Sequence, residues 1–215
     1  MSREDERRAK AVEVLARLEG MYPEATTTAL DHRDPFELLI ATILSAQCTD
    51  RRVNMVTPAL FARYPDARAM SHATEAEVGA LIATCGLWRT KAKSLVATAR
   101  ALAERHGGQV PRSREELEAL PGVGRKTASV VLSVAMEEAA LAVDTHVHRV
   151  ANRLGLARTD DRLETERALT AALPRASWST AHHRLIEHGR TVCKAIAPRC
   201  ADCPLMDLCD HVRTL

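Results

Sequence analysis

The sequence predicts an all-α protein, and three observations predict it. Apolar residues make up 46% of the chain but aromatics only 3%, so the core must be aliphatic, built from Leu, Val, Ile and Ala. These residues recur at i, i+3, i+4 and i+7 in successive segments, the period of a single helix face. Ser, Thr or Asp followed by Glu at the third position heads several of the segments, and no convincing strand alternation is found. A length of 215 residues suffices for one large domain or two small ones, and no shift in composition marks a boundary.

Residues 4–20 read as a polar helix with apolar points at Val12, Leu15 and Leu18, ended by Gly20. Thr26–Asp31 is loop. Asp34 as N-cap, Pro35 at the first helical position and Glu37 in the capping-box position then start a helix. Its buried face is Phe36, Leu39, Ile40, Ile43 and Leu44, and Gln47 falls where it should end, beside Cys48 and Thr49. A helix over 51–62 follows, and 65–73 is a connection. Thr74 with Glu77 caps a helix whose face is Val78, Leu81, Ile82 and Cys85, stopped by Gly86; Leu87 and Trp88 sit in the turn. Ala92, Leu95, Val96, Ala99 and Leu102 mark the next helix, ended by Gly107-Gly108. Ser113 with Glu116 caps a short helix. Further on, helices run from Thr145 to about Leu154, over Leu163–Leu173 before Pro174, and over Trp178–Thr191.

Between these lies the most informative stretch. Pro121-Gly122-Val123-Gly124 breaks the short helix, and two glycines around one apolar residue permit a tight hairpin because glycine accepts positive φ. A second helix starts at once, with Ala128, Val131, Leu132 and Ala135 on one face. Such a unit presents backbone N–H groups at a helix N-terminus, a site for an anion such as phosphate. Lys126 lies in the first turn, where the helix dipole disfavours an ammonium and a dry cleft would do so further. A lysine lowered in this way can act as an amine nucleophile. Asp144 follows an apolar run and stands where a third helix begins.

The net charge of +2 excludes global basicity, so any affinity for nucleic acid must come from a local patch. Arg184, Arg190, Lys194 and Arg199, against Glu187 alone, form one candidate; a solvated helix face is the alternative. The N-terminal MSREDERRAK is neither a signal nor a transit peptide, and no apolar run approaches a membrane span, so a soluble, cytoplasmic protein is expected. Four of the six cysteines, Cys193, Cys200, Cys203 and Cys209, are spaced C-x6-C-x2-C-x5-C, which in that compartment points to a metal site before disulfides. The candidates are tetrahedral zinc and a [4Fe-4S] cubane; zinc sites more often use two C-x2-C knuckles, and here there is one. Cys48 and Cys85 read as small buried apolar residues.

LPGVGRKTA at 120–128, followed by VDTHVHRV at 143–150, resembles the endonuclease III family of helix-hairpin-helix DNA glycosylases. The resemblance extends to FELLIATILSAQCTD at 36–50, CGLWRTKA at 85–92 and the cysteine pattern, covering roughly residues 10–210. It implies a six-helix barrel domain at 28–138, with the hairpin motif at about 113–135. It also implies a discontinuous iron–sulfur domain of 1–27 and 139–215, a cluster loop at 193–209, and an active site in the cleft between the two. The four cysteines would hold a [4Fe-4S] cluster.

The implied activity is that of a bifunctional glycosylase and abasic-site lyase acting on duplex DNA with damaged pyrimidines or abasic sites, as a monomer. Lys126 would attack C1′. Asp144 would help deprotonate the amine or stabilise positive charge on the sugar. Gln47 and Leu87 would enter the gap left by the extruded base. Gly122, Val123, Gly124, Arg125, Thr145, His146 and Lys194 would contact DNA, and Glu118 would support the lysine or the electrostatics of the site. Trp88-Arg89-Thr90 would tune opposite-base contacts or the search for damage.

Each assignment has a plainer alternative: a phosphate-binding Lys126, a capping Asp144, a polar helix end at Gln47, a core contact at Leu87, and structural roles for His146 and His148. Three other functions compete. An adenine-specific mismatch glycosylase usually lacks the lysine and carries a further C-terminal domain, whereas this sequence ends six residues after Cys209. A non-catalytic DNA-binding module would not need both Lys126 and Asp144. An iron–sulfur redox sensor would make Cys48 and Cys85 the suspicious features.

Overall fold

A computed structural model describes residues 2–214, so the outermost residues of the expected iron–sulfur domain, 1 and 215, lie outside the described residues. Among the described residues every regular element is helical. The chain divides into two compact units, one of 29–137 and one joining residues 1–28 to 138–215.

In the unit of 29–137, helix α2 (Pro35–Leu44) is the centre, with nine of its ten residues buried. An apolar stripe was expected; the helix is enclosed on all sides because PFELLIATIL has scarcely a polar face to expose. Asp34 caps it as predicted, accepting from the Glu37 amide. The capping box does not close on Asp34, however. The Glu37 carboxylate accepts instead from the Arg33 amide, 2.7 Å, and pairs with the Arg33 guanidinium. Glu37 is buried, so its charge needs the cation more than the cap.

Around α2 pack α3 (Asp50–Arg63), α6 (Trp88–Arg105) and α8 (Arg125–Ala135). The core face of α6 contains the predicted Ala92, Leu95, Val96, Ala99 and Leu102. Two short helices flank it, α4 (Ala67–Ser71) and α5 (Glu75–Leu81), with the Thr74–Glu77 capping box formed on α5. The connection expected at 65–73 therefore contains a helix, started by the Asp66 carboxylate accepting from the Ala69 amide. Helix α7 (Arg114–Glu118), capped by Ser113, packs on α8.

In the other unit, α1 (Arg3–Met21) packs on α10 (Arg162–Ala172) and α11 (Trp178–Thr191), and α9 (Thr145–Leu154) packs on both α10 and α11. Their apolar faces meet through Val14 and Leu18, Val147 and Val150, Leu169, and Leu185. Helix α1 begins earlier than the sequence suggested, at a Ser2–Asp5 capping box, and passes through Gly20 to Met21. At the end of α9, Gly155 adopts φ +75°, and a Cβ there would lie 1.9 Å from the Asp210 carboxylate, a close approach only glycine permits. Asp210 in turn pairs with Lys10 at 2.7 Å and Arg158 at 3.1 Å, and Asp207 with Arg17 at 2.6 Å. The N-terminal helix thus grips the segment that follows the third cysteine of the cluster loop.

Candidate active site and cluster loop

The hairpin is built as its glycines require. Gly122 has φ +75°, and a Cβ there would meet the Ser94 Cβ at 2.7 Å, so both conformation and packing demand glycine. The Thr98 hydroxyl of α6 donates to the Pro121 carbonyl. Val123 turns its side chain into the core, so the hairpin offers solvent backbone rather than side chain. Gly124 is the N-cap of α8 and supplies no side-chain acceptor, with open space where its Cβ would be. The start of α8 is therefore presented without a capping side chain, as an anion-binding helix end is.

Lys126 is the second residue of α8 and is exposed. Glu118 does not reach it: that carboxylate lies 3.5 Å from Arg114 and 3.8 Å from Arg125. At the edges of the same unit, Gln47 and Leu87 are both exposed and both in the left-handed region, φ 51° and 56°. A non-glycine residue holds that conformation only where its surroundings impose it, at a cost of about 1–3 kcal/mol. Leu87 directly precedes α6, and its exposed side chain makes it no ordinary core contact. Beside it the Arg89 guanidinium lies 4.2 Å from the centre of the Trp88 ring, which also covers Gly79.

In the unit of 1–28 and 138–215, Asp144 is the N-cap of α9. Its Oδ1 accepts from the amides of both His146 and Val147, each at 2.8 Å, which leaves Oδ2 outside the cap. Thr145 is exposed and His146 half-buried, with Arg149 donating to His146 Nδ1 at 3.1 Å. His148 faces inward to the Thr165 hydroxyl at 2.7 Å, a structural role. The candidate basic patch loses one member. Arg184 is buried and pairs with Glu19 at 3.0 Å, whereas Arg190, Lys194 and Arg199 are exposed.

Cys193, Cys200, Cys203 and Cys209 are free thiols that line one pocket together with Arg153, His188 and Met206. Arg149 and Arg153, one turn apart on α9, hold the loop by its backbone. Arg149 donates to the Cys193 carbonyl at 3.1 Å, and Arg153 to the carbonyls of Lys194 at 2.7 Å and Ala195 at 3.2 Å. Arg153 also reaches the Cys193 sulfur at 3.5 Å. The sequence reading passed over these arginines, although their i, i+4 spacing just after Asp144 put them on one face.

His188 packs into the pocket, where burial pushes it down to about pKa 4 and keeps the imidazole neutral. Its Nδ1 faces the Tyr22 hydroxyl at 3.2 Å and its Nε2 the Cys203 sulfur at 3.7 Å. Burial first, and then the other three cysteines, push the Cys203 thiol up. Among the described residues no group of three or more His, Cys, Asp or Glu side chains is placed to hold a metal ion. The four cysteines lining one pocket are still the donor type and number that a [4Fe-4S] cluster takes.

Residues 40–175 match the family model for the HhH-GPD superfamily of base excision DNA repair proteins. The chain is 47% identical over 204 residues to endonuclease III of Synechocystis, covering 94% of this chain and 93% of that one. It is 49% identical over 196 residues to endonuclease III of Bacillus subtilis, covering 91% and 89%. A solved structure of a trapped endonuclease III–DNA covalent intermediate superposes with a TM-score of 0.90 at 45% identity, covering 100% of this chain and 99% of that one. The helical architecture and this likeness along nearly the whole chain agree: the chain belongs to the HhH-GPD superfamily of base excision DNA repair proteins and, within it, to the endonuclease III family.

Proposed function

We propose that this chain is a base-excision-repair DNA glycosylase and abasic-site lyase that removes oxidised pyrimidines from duplex DNA through a lysine Schiff base. One observation carries the reading: Lys126 is exposed in the first turn of a helix whose glycine hairpin is open to a phosphate, in a chain 45% identical to an endonuclease III trapped covalently on DNA. The hairpin amides around Gly122, Val123 and Gly124, with Arg125, grip the backbone. Thr145 and His146 at the start of α9, and Lys194 in the cluster loop, add further contacts. Gln47 and Leu87, held in strained conformations on exposed segments, fill the space left by the extruded base.

The neutral Lys126 amine attacks C1′ as the C1′–N bond to the base breaks, and the base leaves with a proton. The sugar ring opens to a Schiff base. Loss of the C2′ proton then expels the 3′ phosphate by β-elimination, and water releases the lysine. Asp144, fixed through Oδ1 by two amides, offers Oδ2 to take the amine proton and to stabilise positive charge on the sugar.

Cys193, Cys200, Cys203 and Cys209 would hold a [4Fe-4S] cluster, which supplies a covalent anchor for the loop rather than a step of the reaction. The unit of 29–137 is read as the six-helix barrel domain and the other as the iron–sulfur domain. The protein is read as a monomer that acts on cytoplasmic, nucleoid-associated duplex DNA.

Borohydride trapping tests the reading, with duplexes carrying one thymine glycol or one abasic site. The wild type should form an adduct on both, and Lys126→Ala on neither. An adduct on the abasic duplex alone would move the base specificity elsewhere. Base release without an adduct would mark a monofunctional glycosylase, and binding without either would mark a non-catalytic module.

A further inference from the structure

Cys48 and Cys85 stand outside the mechanism, and the structure does not leave them as separate core residues. Cys48 lies in the turn after α2, one residue beyond Gln47, its amide bonded to the Ser45 carbonyl at 3.1 Å. Cys85 lies in the turn before α6, two residues ahead of Leu87, its amide bonded to the Ile82 carbonyl at 2.9 Å. The two turns abut: a Cβ on Gly86 would sit 3.1 Å from the Gln47 carbonyl oxygen. These abutting turns bring the two cysteines near enough for Cys48 to push the Cys85 thiol up. Cys85 is buried, whereas Cys48 is half-buried and reachable.

A third group acts on Cys85. Lys91 on α6 is only 5% exposed, and its ammonium is buried without a hydrogen-bond partner. It acts on Cys85 as a favourable charge, as does Arg52. An unpartnered buried ammonium is costly, and a thiolate or departing hydroxide beside it is the natural counter-charge.

We propose that Cys48 and Cys85 form a peroxide-sensitive thiol pair that closes to a disulfide, tying the turn of Gln47 to the turn of Leu87. The Cys48 thiolate attacks a peroxide oxygen; an S–O bond forms, the O–O bond breaks, and the hydroxide leaves as water with a proton from solvent. Cys85 then gives up its proton and attacks the Cys48 sulfenic sulfur. The S–S bond forms, the S–O bond breaks, and a second water leaves. The two thiols together lose two electrons to the peroxide. Burial, followed by the neighbouring Cys48, pushes Cys85 up to about pKa 11, which suits a thiol that waits until Cys48 has become neutral sulfenic acid.

The consequence for DNA rests on the proposed roles of Gln47 and Leu87: a crosslink would hold both turns in one arrangement and weaken engagement of the duplex. The test treats the cluster-containing protein with hydrogen peroxide, blocks free thiols by alkylation, and maps the peptides, with visible absorbance reporting that the cluster survives. One crosslink between Cys48 and Cys85 is expected, reversed by dithiothreitol and absent in Cys48→Ala and Cys85→Ala. Lys91→Met should slow its formation about tenfold, the effect of one lost charge contact, and Lys91→Arg should restore it.

Oxidation that stops at Cys48 sulfinic acid with Cys85 still a free thiol would overturn the proposal, as would bonds only among the cluster cysteines. Duplex affinity is measured alongside. A loss of about tenfold on crosslinking, absent in Cys48→Ala, supports both the pair and the roles of Gln47 and Leu87. A crosslink with unchanged affinity supports the pair and counts against those roles.

Discussion

Asp144 accepts two helix amides through one oxygen and leaves the other outside the cap. Its capping duty and its proposed chemical one can therefore be separated. Asparagine caps a helix about as well as aspartate but carries no charge. Asp144→Asn should keep the melting temperature nearly unchanged while single-turnover base release falls by about 10² or more. Asp144→Ala should lose the cap as well, destabilising the fold by about 1 kcal/mol in denaturant titration. A plain cap would reverse the pattern, with activity following stability. The capping position could be read from VDTHV, because a cap is a relation within three residues. That Oδ1 alone makes the cap needed the structure.

The helix-hairpin-helix element is not self-sufficient. α7 has only five residues, and the hairpin relies on α6, from which Thr98 binds the Pro121 carbonyl and Ser94 closes over Gly122. Thr98→Val, nearly the same size, leaves that part-buried carbonyl without its hydroxyl donor, which should cost about 1 kcal/mol of stability. Duplex affinity should fall in the same variant, because the loosened hairpin presents its amides less well. Affinity unchanged at full stability loss would show that the hairpin keeps its form without α6. The glycines announce a hairpin in the sequence, but the threonine that holds it lies 23 residues away, beyond the range of any local pattern.

At the scale of the whole molecule, the two units are maintained differently. The unit of 29–137 is organised around α2, almost wholly buried. The cluster loop has few apolar anchors, chiefly Leu205 and Cys209, and is otherwise held by Arg149, Arg153 and the ion pairs from α1. Chelating the iron of the proposed cluster should therefore open residues 193–209 to limited proteolysis while fragments covering 29–137 remain resistant. Four thiols freed of a cationic centre lose what holds them together, and coordination to folded protein is itself folding free energy. Equal digestion of both units would show that the cluster supports the entire chain.

What the sequence by itself determined was everything carried by short-range relations. Caps at Asp34, Thr74 and Ser113, the glycine hairpin, the start of α9 at Asp144 and the spacing of the four cysteines all depend on residues a few positions apart, where chain geometry leaves few choices. Tertiary structure alone decided where long side chains end. Arg184, which the sequence placed in a basic patch, is buried against Glu19; Lys91 is buried where its charge acts on Cys85; His188 lies between Tyr22 and Cys203. Charge and period assign such a residue to a face, but its partner comes from a helix distant in sequence. Desolvation together with that partner determines whether the group is a surface charge, a buried counter-ion or a neutral hydrogen-bond donor.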